Sequence, residues 1–373
     1  MWKPLITDAT ARAAIEHQLQ GIADALPPPT TMAEHADRAL VRSYLAQDEV
    51  VGDPDDAAGA SLVAAITAFA GTVGTVSLYG GAAQLGWVIA HLTDGEAADA
   101  MCTKIDAALA TQLAGAWSGD HDLISGLVGI GVYALERGEP GLAIATRVID
   151  HLEAAARPRG DGIAWFTAPA LLPAWQQEMA PDGYWNLGVA HGTPGVIAWL
   201  ARCAAHGVEP ARAGRLLDGA VAYLRGVAPP GTARIPSWEG LAPTRRLAWC
   251  YGDLGSSLAL LSAGKAVGRE DWRDEALAMA RTCAGTSRAD ANISDSTLCH
   301  GASGAFHLFH RLAMATGEPL FAEAAITWLE RLSSYTPTDP QSFLEGSGGV
   351  ALALHAAISD VDPAWGRMML VDL

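Results

Sequence analysis

Basic residues are scarce: 24 Lys and Arg stand against 41 Asp and Glu, a formal charge of −17 over 373 residues. A chain that acidic repels nucleic acid and anionic lipid, which leaves cationic or neutral partners, peptides included. Cysteine is sparse too. The five present are odd in number and lack a disulfide-like spacing, which speaks against a disulfide framework and for a reducing compartment where thiols stay free. No apolar export segment follows Met1-Trp2-Lys3-Pro4, so a cytoplasmic protein is expected. Between Gly59 and His91 charge is missing altogether, a length that raises the question of a membrane span. Gly71, Gly74, Gly80, Gly81 and Gly86, with Gln84 and many small residues, predict instead a buried helix, a turn and the start of another helix. No membrane insertion is expected.

What the chain does contain is apolar residues, 50% of the total, and glycine in a repeated pattern. With a mean hydropathy of +0.18 this composition fits a heavily buried globular protein. A Gly-x-x-Gly opens an apolar stretch and a later glycine closes it: Gly126 and Gly129 to Gly138, Gly192 and Gly195 to Gly207, Gly252 and Gly255 to Gly268, Gly301 and Gly304 to Gly317. A degenerate copy begins at Gly80-Gly81 with Gln84 where glycine is expected, and Gly346 to Gly349 opens a sixth unit. Glycine is the usual helix stop, and Pro shortly after can begin the next helix. Between the units lie amphipathic stretches, Leu142 to Ala155, Ala211 to Arg225, Trp272 to Cys283 and Leu320 to Leu332.

An apolar helix must be buried and an amphipathic one lines a surface, so the repeat predicts an all-α, two-layered array of helical hairpins, which a ring would close. The glycine pairs lack the Lys and the preceding strand of a phosphate loop, and we read them as letting neighbouring inner helices and turns approach closely. If the inner helices run the same way, their N-termini converge at one face, where unsatisfied N–H groups favour negative charge. The residues just before each glycine pair then share one site: Asp122, His191, Cys250 with Tyr251, Cys299 with His300, and Glu345. Cys250, Cys299 and His300 supply three of the four ligands that a tetrahedral zinc takes, leaving one position open as catalytic sites do. Singly, each has a blander reading, a buried thiol or a hydrogen-bonded core histidine.

The motifs Asn186-Leu187-Gly188-Val189-Ala190-His191-Gly192-Thr193-Pro194-Gly195, Arg246-Leu247-Ala248-Trp249-Cys250-Tyr251-Gly252 and Cys299-His300-Gly301 resemble the hallmarks of the lanthionine synthetase C-like (LanC-type) cyclases. The resemblance covers most of the chain, including Asp122-Leu123-Ile124 with Gly126. It implies a single domain over residues 1–373, an α/α double toroid of seven inner and seven outer helices. Six units are visible in the sequence; the seventh would come from the region Thr31 to Ala70. It further implies one zinc ion held by Cys250, Cys299 and His300, with His191, Asp122, Arg246 and Tyr251 lining the reaction site. The implied activity is lantibiotic biosynthesis: thiols of a dehydrated, leader-bearing precursor peptide add to dehydroalanine or dehydrobutyrine and form thioether rings. A separate dehydratase, and by extension a transporter complex, would be partners.

The residues suit that chemistry. A peptide thiol with a pKa of about 8.5 is mostly protonated at neutral pH, and coordination to zinc deprotonates it. His191 can protonate the resulting enolate, with Asp122 orienting its ring, unless Asp122 is simply the cap of the helix after Gly126. Arg246 can hold the enolate or amide oxygen, whereas Arg245 reads as a surface residue. Tyr251 can hydrogen-bond a metal-bound sulfur or merely cap the cavity, and Trp249 reads as packing. Cys102, Cys203 and Cys283 read as core, His307 and His310 as packed or surface residues rather than ligands, and His121 in Asp120-His121-Asp122 is a weak candidate for a second metal site. Trp165, Trp175, Trp185 and Trp238, on the long connections Arg157 to Trp185 and Gly226 to Leu247, could floor a peptide groove. Two other readings compete: a related enzyme that adds a small thiol such as glutathione to dehydrated residues, and a non-catalytic peptide-binding scaffold with a structural zinc.

Overall fold

A computed structural model describes residues 2–53, 55–70, 74–228, 235–332 and 342–373. The connection from Gly226 to Leu247 and the uncharged stretch after Gly59 therefore lie partly outside the described residues. By their internal contacts the described residues form two compact units, one of residues 1–74, 247–249 and 284–373, the other of residues 75–246 and 250–283.

The second unit carries the repeat in its plainest form. Helices α4 (Ala82–Leu92), α6 (Leu127–Glu136), α9 (Thr193–Ala205) and α11 (Asp253–Ala266) are buried along most of their length and pack in succession, α4 on α6, α6 on α9 and α9 on α11. Each is followed by an amphipathic helix with one buried stripe: α5 (Glu96–Leu113), α7 (Leu142–Ala155), α10 (Pro210–Val227) and α12 (Glu270–Ala284). Positive φ at Gly138 and Gly207 marks the turn from buried to amphipathic helix, as only glycine enters that region cheaply. A short hairpin, β1 (Arg157–Arg159) with β2 (Gly162–Ala164), and helix α8 (Ala174–Met179) occupy the first long connection.

The first unit shows why only six repeats are visible in the sequence. Helices α13 (Ala302–Thr316) and α14 (Pro319–Leu329) keep the pattern, but the buried α15 (Ser347–Ile358) has no amphipathic successor. The N-terminal helix α1 (Ala9–Ala25) packs on it instead. Residues 32–70 supply the remaining pair with the hydropathy inverted. Helix α2 (Met32–Leu45) looks amphipathic yet buries Ala36, Asp37, Ala39, Leu40, Val41, Tyr44 and Leu45. Its partner α3 (Ala57–Ala70) is apolar in sequence yet buries only Ser61, Leu62 and Ala65, and Val63 is 64% exposed. The expectation of a buried helix there fails because its hydropathy comes from alanine, which an exposed helix face tolerates well. Among the described residues no helix is long and apolar enough to cross a membrane.

The loop before each buried helix is one structure used repeatedly. In the second unit the N–H groups of Leu127, Val128 and Gly129 donate to the carbonyls of Asp120, His121 and Asp122 at 3.2 Å each, and Thr193 N donates to the Asn186 carbonyl at 3.1 Å. In the first unit Ala302, Ser303 and Gly304 do the same to Asp295, Ser296 and Thr297 at 3.0, 3.3 and 3.1 Å. The expectation of unsatisfied N–H groups at these helix starts is thereby corrected: the loop curls back and takes up groups a helix normally leaves open. The role expected of the glycines changes too. A Cβ on Gly195 would stand 2.2 Å from the Val189 carbonyl, and one on Gly304 would stand 2.1 Å from that of Leu298. Glycine is required first where a helix meets its own preceding loop, and at Gly129 and Gly349 a Cβ would also press on Leu78 and Leu298 of a neighbouring loop, 2.8 Å away in each case.

Successive loops are also tied to one another through their backbones. In the second unit Tyr79 N donates to the Ile124 carbonyl, Leu123 N to that of Ala190 and Ala190 N to that of Cys250. In the first unit Trp249 N donates to the Cys299 carbonyl and Cys299 N to that of Leu344. The residue three before each opening glycine, such as Leu78, Leu123, Val189, Trp249, Leu298 or Phe343, is buried. The residue one place later, such as Ile124, Ala190, Cys250, Cys299 or Leu344, takes part in these backbone ties.

Candidate active site and metal centre

The sulfur atoms of Cys250 and Cys299 and a ring nitrogen of His300 lie within 4.8 Å of one another, the one three-donor group of this kind among the described residues. Both cysteines are buried and His300 is partly so. Two thiols and an imidazole are the donor types that zinc prefers, at a separation one tetrahedral ion can span, so these residues fit such an ion. His300 does not stand alone. Its Nε2 lies 3.2 Å from Oδ2 of Asp295, while Oδ1 of Asp295 accepts from the Thr297 N–H at 2.8 Å and its hydroxyl at 2.7 Å. Although burial alone would raise it, hydrogen bonds from His300 and Thr297 hold the Asp295 carboxyl down to about 2.

A second carboxylate–imidazole pair lies in the other unit. His191 Nδ1 is 2.6 Å from Asp122 Oδ2, joining the loops before α6 and α9. Asp122 Oδ1 accepts from the Ser125 N–H at 2.9 Å and its hydroxyl at 3.1 Å, so the buried carboxylate is fixed on both oxygens. It is not the cap of α6, whose cap position is Gly126. Burial pushes the imidazole of His191 down, but the hydrogen bond and charge of Asp122, with the charges of Asp120 and Cys250, outweigh it, and its proton affinity is raised.

The Tyr251 ring lies 6.4 Å from that of His191, and its hydroxyl accepts a 3.0 Å hydrogen bond from the Asn186 side chain. Arg246 is half-buried, with its Nε buried and unpartnered, and Arg245 is exposed. An orphaned guanidinium N–H suits a group that must meet an incoming oxygen. Glu345 is exposed and stands outside the three-donor group.

The remaining candidates are structural. Trp249 is fully buried and donates to the Met369 carbonyl at 2.8 Å. Burial pushes the thiols of Cys102, Cys203 and Cys283 up, as befits core residues. His307 and His310 are buried, and burial pushes His310 down to about 4. His121 pairs with Asp120 at 2.9 Å inside the fold, so its tripeptide is a buried strut and not a second metal site. Of the four connection tryptophans, Trp165 is buried, Trp238 stacks on Tyr184 at 5.5 Å and Trp185 lies under Arg159 at 5.1 Å. Trp175 is 61% exposed and Trp185 and Trp238 are half-buried, while the buried Trp165 takes no part in any surface floor.

Asp295, beside His300, and Asn186, bonded to Tyr251, are the polar neighbours of the candidate site that motif reading did not single out. Each stands six residues before an opening glycine, the place also held by Asp120 and Arg246, and alignment of the repeats on that glycine would have exposed the polar column.

A family model for lanthionine synthetase C-like proteins matches residues 39–370. The chain belongs to that family. Among curated relatives, the nisin biosynthesis protein NisC of Lactococcus lactis subsp. lactis is 25% identical over 326 residues, covering 80% of this chain and 77% of the relative. Among solved structures, nisin cyclase superposes with a TM-score of 0.78 at 20% identity, covering 98% of each chain. The fold is therefore the α/α toroid of that enzyme. In this lanthionine synthetase C-like chain the helices α4, α6, α9 and α11 of one unit, and α2, α13 and α15 of the other, are the buried set.

Proposed function

We propose that the chain, acting over residues 1–373 as one catalytic domain, is a zinc-dependent cyclase of lantibiotic biosynthesis. Its substrate is a precursor peptide already carrying dehydroalanine or dehydrobutyrine, which a separate dehydratase must supply. The observation that carries this reading is the meeting of Cys250, Cys299 and His300 donors within 4.8 Å. Zinc bound there would make an incoming peptide thiol give up its proton at neutral pH.

The other residues divide the remaining work. Addition forms a carbon–sulfur bond at the β-carbon and pushes the alkene electrons onto the carbonyl oxygen as an enolate. Arg246, with an unpartnered buried N–H, donates to that oxygen as charge develops. His191, its proton affinity raised by Asp122, delivers a proton to the α-carbon. Asp122, anchored by Ser125, keeps the ring in one tautomer and stabilises its charged form. Tyr251, fixed by Asn186, borders the imidazole. Overall the S–H bond adds across a carbon–carbon double bond, and no oxidant or reductant is needed.

The deciding experiment incubates the protein, with and without zinc, with a dehydrated peptide that contains cysteine, and counts free thiols over time. Zinc-dependent thiol loss at unchanged peptide mass is the expected result. A mass gain from added glutathione, with peptide thiols left intact, would replace this reading with addition of a small thiol.

A further inference from the structure

We infer that Asp295 is a positioning residue that commits His300 to bind its metal through Nδ1. The inference rests on the zinc reading above and goes beyond it, since membership of a donor group leaves open which nitrogen serves. An imidazole nitrogen either carries a proton toward a carboxylate or offers its lone pair to a metal; it cannot do both. Nε2 of His300 is 3.2 Å from Asp295 Oδ2 and is thereby the protonated nitrogen. Nδ1 is left as the donor.

Asp295 can impose this because it is itself immobilised. It is buried, and Oδ1 takes both the N–H and the hydroxyl of Thr297. The Thr297 hydroxyl also accepts from the His300 backbone N–H at 3.3 Å, so the same loop fixes both ends of the histidine. The Asp295 carbonyl meanwhile accepts from Ala302 N at 3.0 Å, which locks the aspartate to the first turn of α13. A carboxylate at the far nitrogen also makes the imidazole a stronger donor. Replacing Asp295 by asparagine leaves one side-chain oxygen for two tasks: Thr297 or His300 must lose its acceptor.

The first test is long-range proton–nitrogen correlation NMR on full-length, zinc-loaded protein with nitrogen-15 histidine, with the His300 signals assigned against His300→Ala. A protonated Nε2 and a metal-shifted Nδ1 are expected, and a metal-shifted Nε2 overturns the inference. The second is zinc affinity by chelator competition, with thermal unfolding of the metal-free proteins run alongside. Asp295→Asn should weaken zinc binding by about 10- to 100-fold while the metal-free protein unfolds cooperatively. Unchanged affinity overturns the inference, and if the variant does not fold, the wild-type spectrum decides alone. Wild-type protein that takes up no zinc sinks the cyclase reading and this inference together, whereas zinc bound through Nε2 sinks only the latter.

Discussion

Of the carboxylate–imidazole pairs, His191 with Asp122 in one unit and His300 with Asp295 in the other are built on the same kind of loop but joined differently. Asp122 reaches from the loop before α6 to His191 in the next loop, at 2.6 Å, and the imidazole is left about a third exposed. Asp295 stays within its own loop and meets His300 at 3.2 Å, three residues past the Thr297 that pins it. In the first pair the carboxylate raises the proton affinity of the ring, which the proposed cyclisation would use to deliver a proton. In the second, on the inference drawn above, it would occupy one nitrogen and leave the other for a metal. The loop backbone is common to both; the loop that supplies the acid differs.

The sharpest break in that comparison is complete loss on either side for different reasons. Cys299→Ala should abolish both metal content and cyclisation, whereas His191→Ala should keep its zinc and lose turnover by about 10²- to 10⁴-fold. Elemental analysis beside a thiol-loss assay separates the two outcomes, and zinc retained at full occupancy in Cys299→Ala would contradict the ligand assignment.

Asp122→Asn sharpens the same contrast through pH. Cyclisation that needs protonated His191 declines as pH rises through the histidine pKa. Removing the carboxylate leaves burial to push that pKa down, so the decline should move to lower pH and turnover at neutral pH should fall by about 100-fold. A pH–rate profile unchanged in its basic limb would remove Asp122 from the proton step.

The shared loop can be broken equally in either unit. Gly304→Ala and Gly195→Ala would each drive a Cβ against a carbonyl, at 2.1 and 2.2 Å in the unrelaxed backbone. Each should lose about 3 kcal/mol in chemical denaturation. Acid titration gives a finer distinction. The Asp295 carboxyl is depressed to about 2, so its contribution to stability is present above the unfolded pKa of about 4 and is lost as pH falls towards 2. Wild-type protein should therefore lose more stability than Asp295→Asn across that window. The smallest effect belongs to the core thiols: Cys203→Ala should cost about 1 kcal/mol and leave zinc stoichiometry untouched.

Much of the fold was legible because its signal is local. Apolar runs opened by glycine pairs and closed by glycine mark α6, α9, α11 and α13 to within a few residues, and Leu142–Ala155 is the predicted amphipathic stretch to the residue. Illegible was the pair α2 and α3, where polar residues lie on a helix that is buried and alanines on one that is not. Pairing of α15 with α1 was equally hidden, since the partners stand at opposite ends of the chain and share no pattern.

The site divides in the same way. Soft donors at Cys250, Cys299 and His300, and the polar residues His191, Asp122 and Tyr251, could be named because each occupies a repeat position shortly before an opening glycine, whereas Arg246 was named through the family resemblance. Sequence by itself determined the helical repeat and the chemical identity of the donors, since spacing and side-chain type are properties of the chain alone. Only tertiary structure decided that Asp122 meets His191 from 69 residues away and that Asp295 turns back onto His300. It also decided that the first-turn N–H groups are taken by their own loops and not left for a ligand. Hydrogen bonds of a few ångströms depend on how loops curl and pack, and no periodicity in a one-dimensional pattern carries that information.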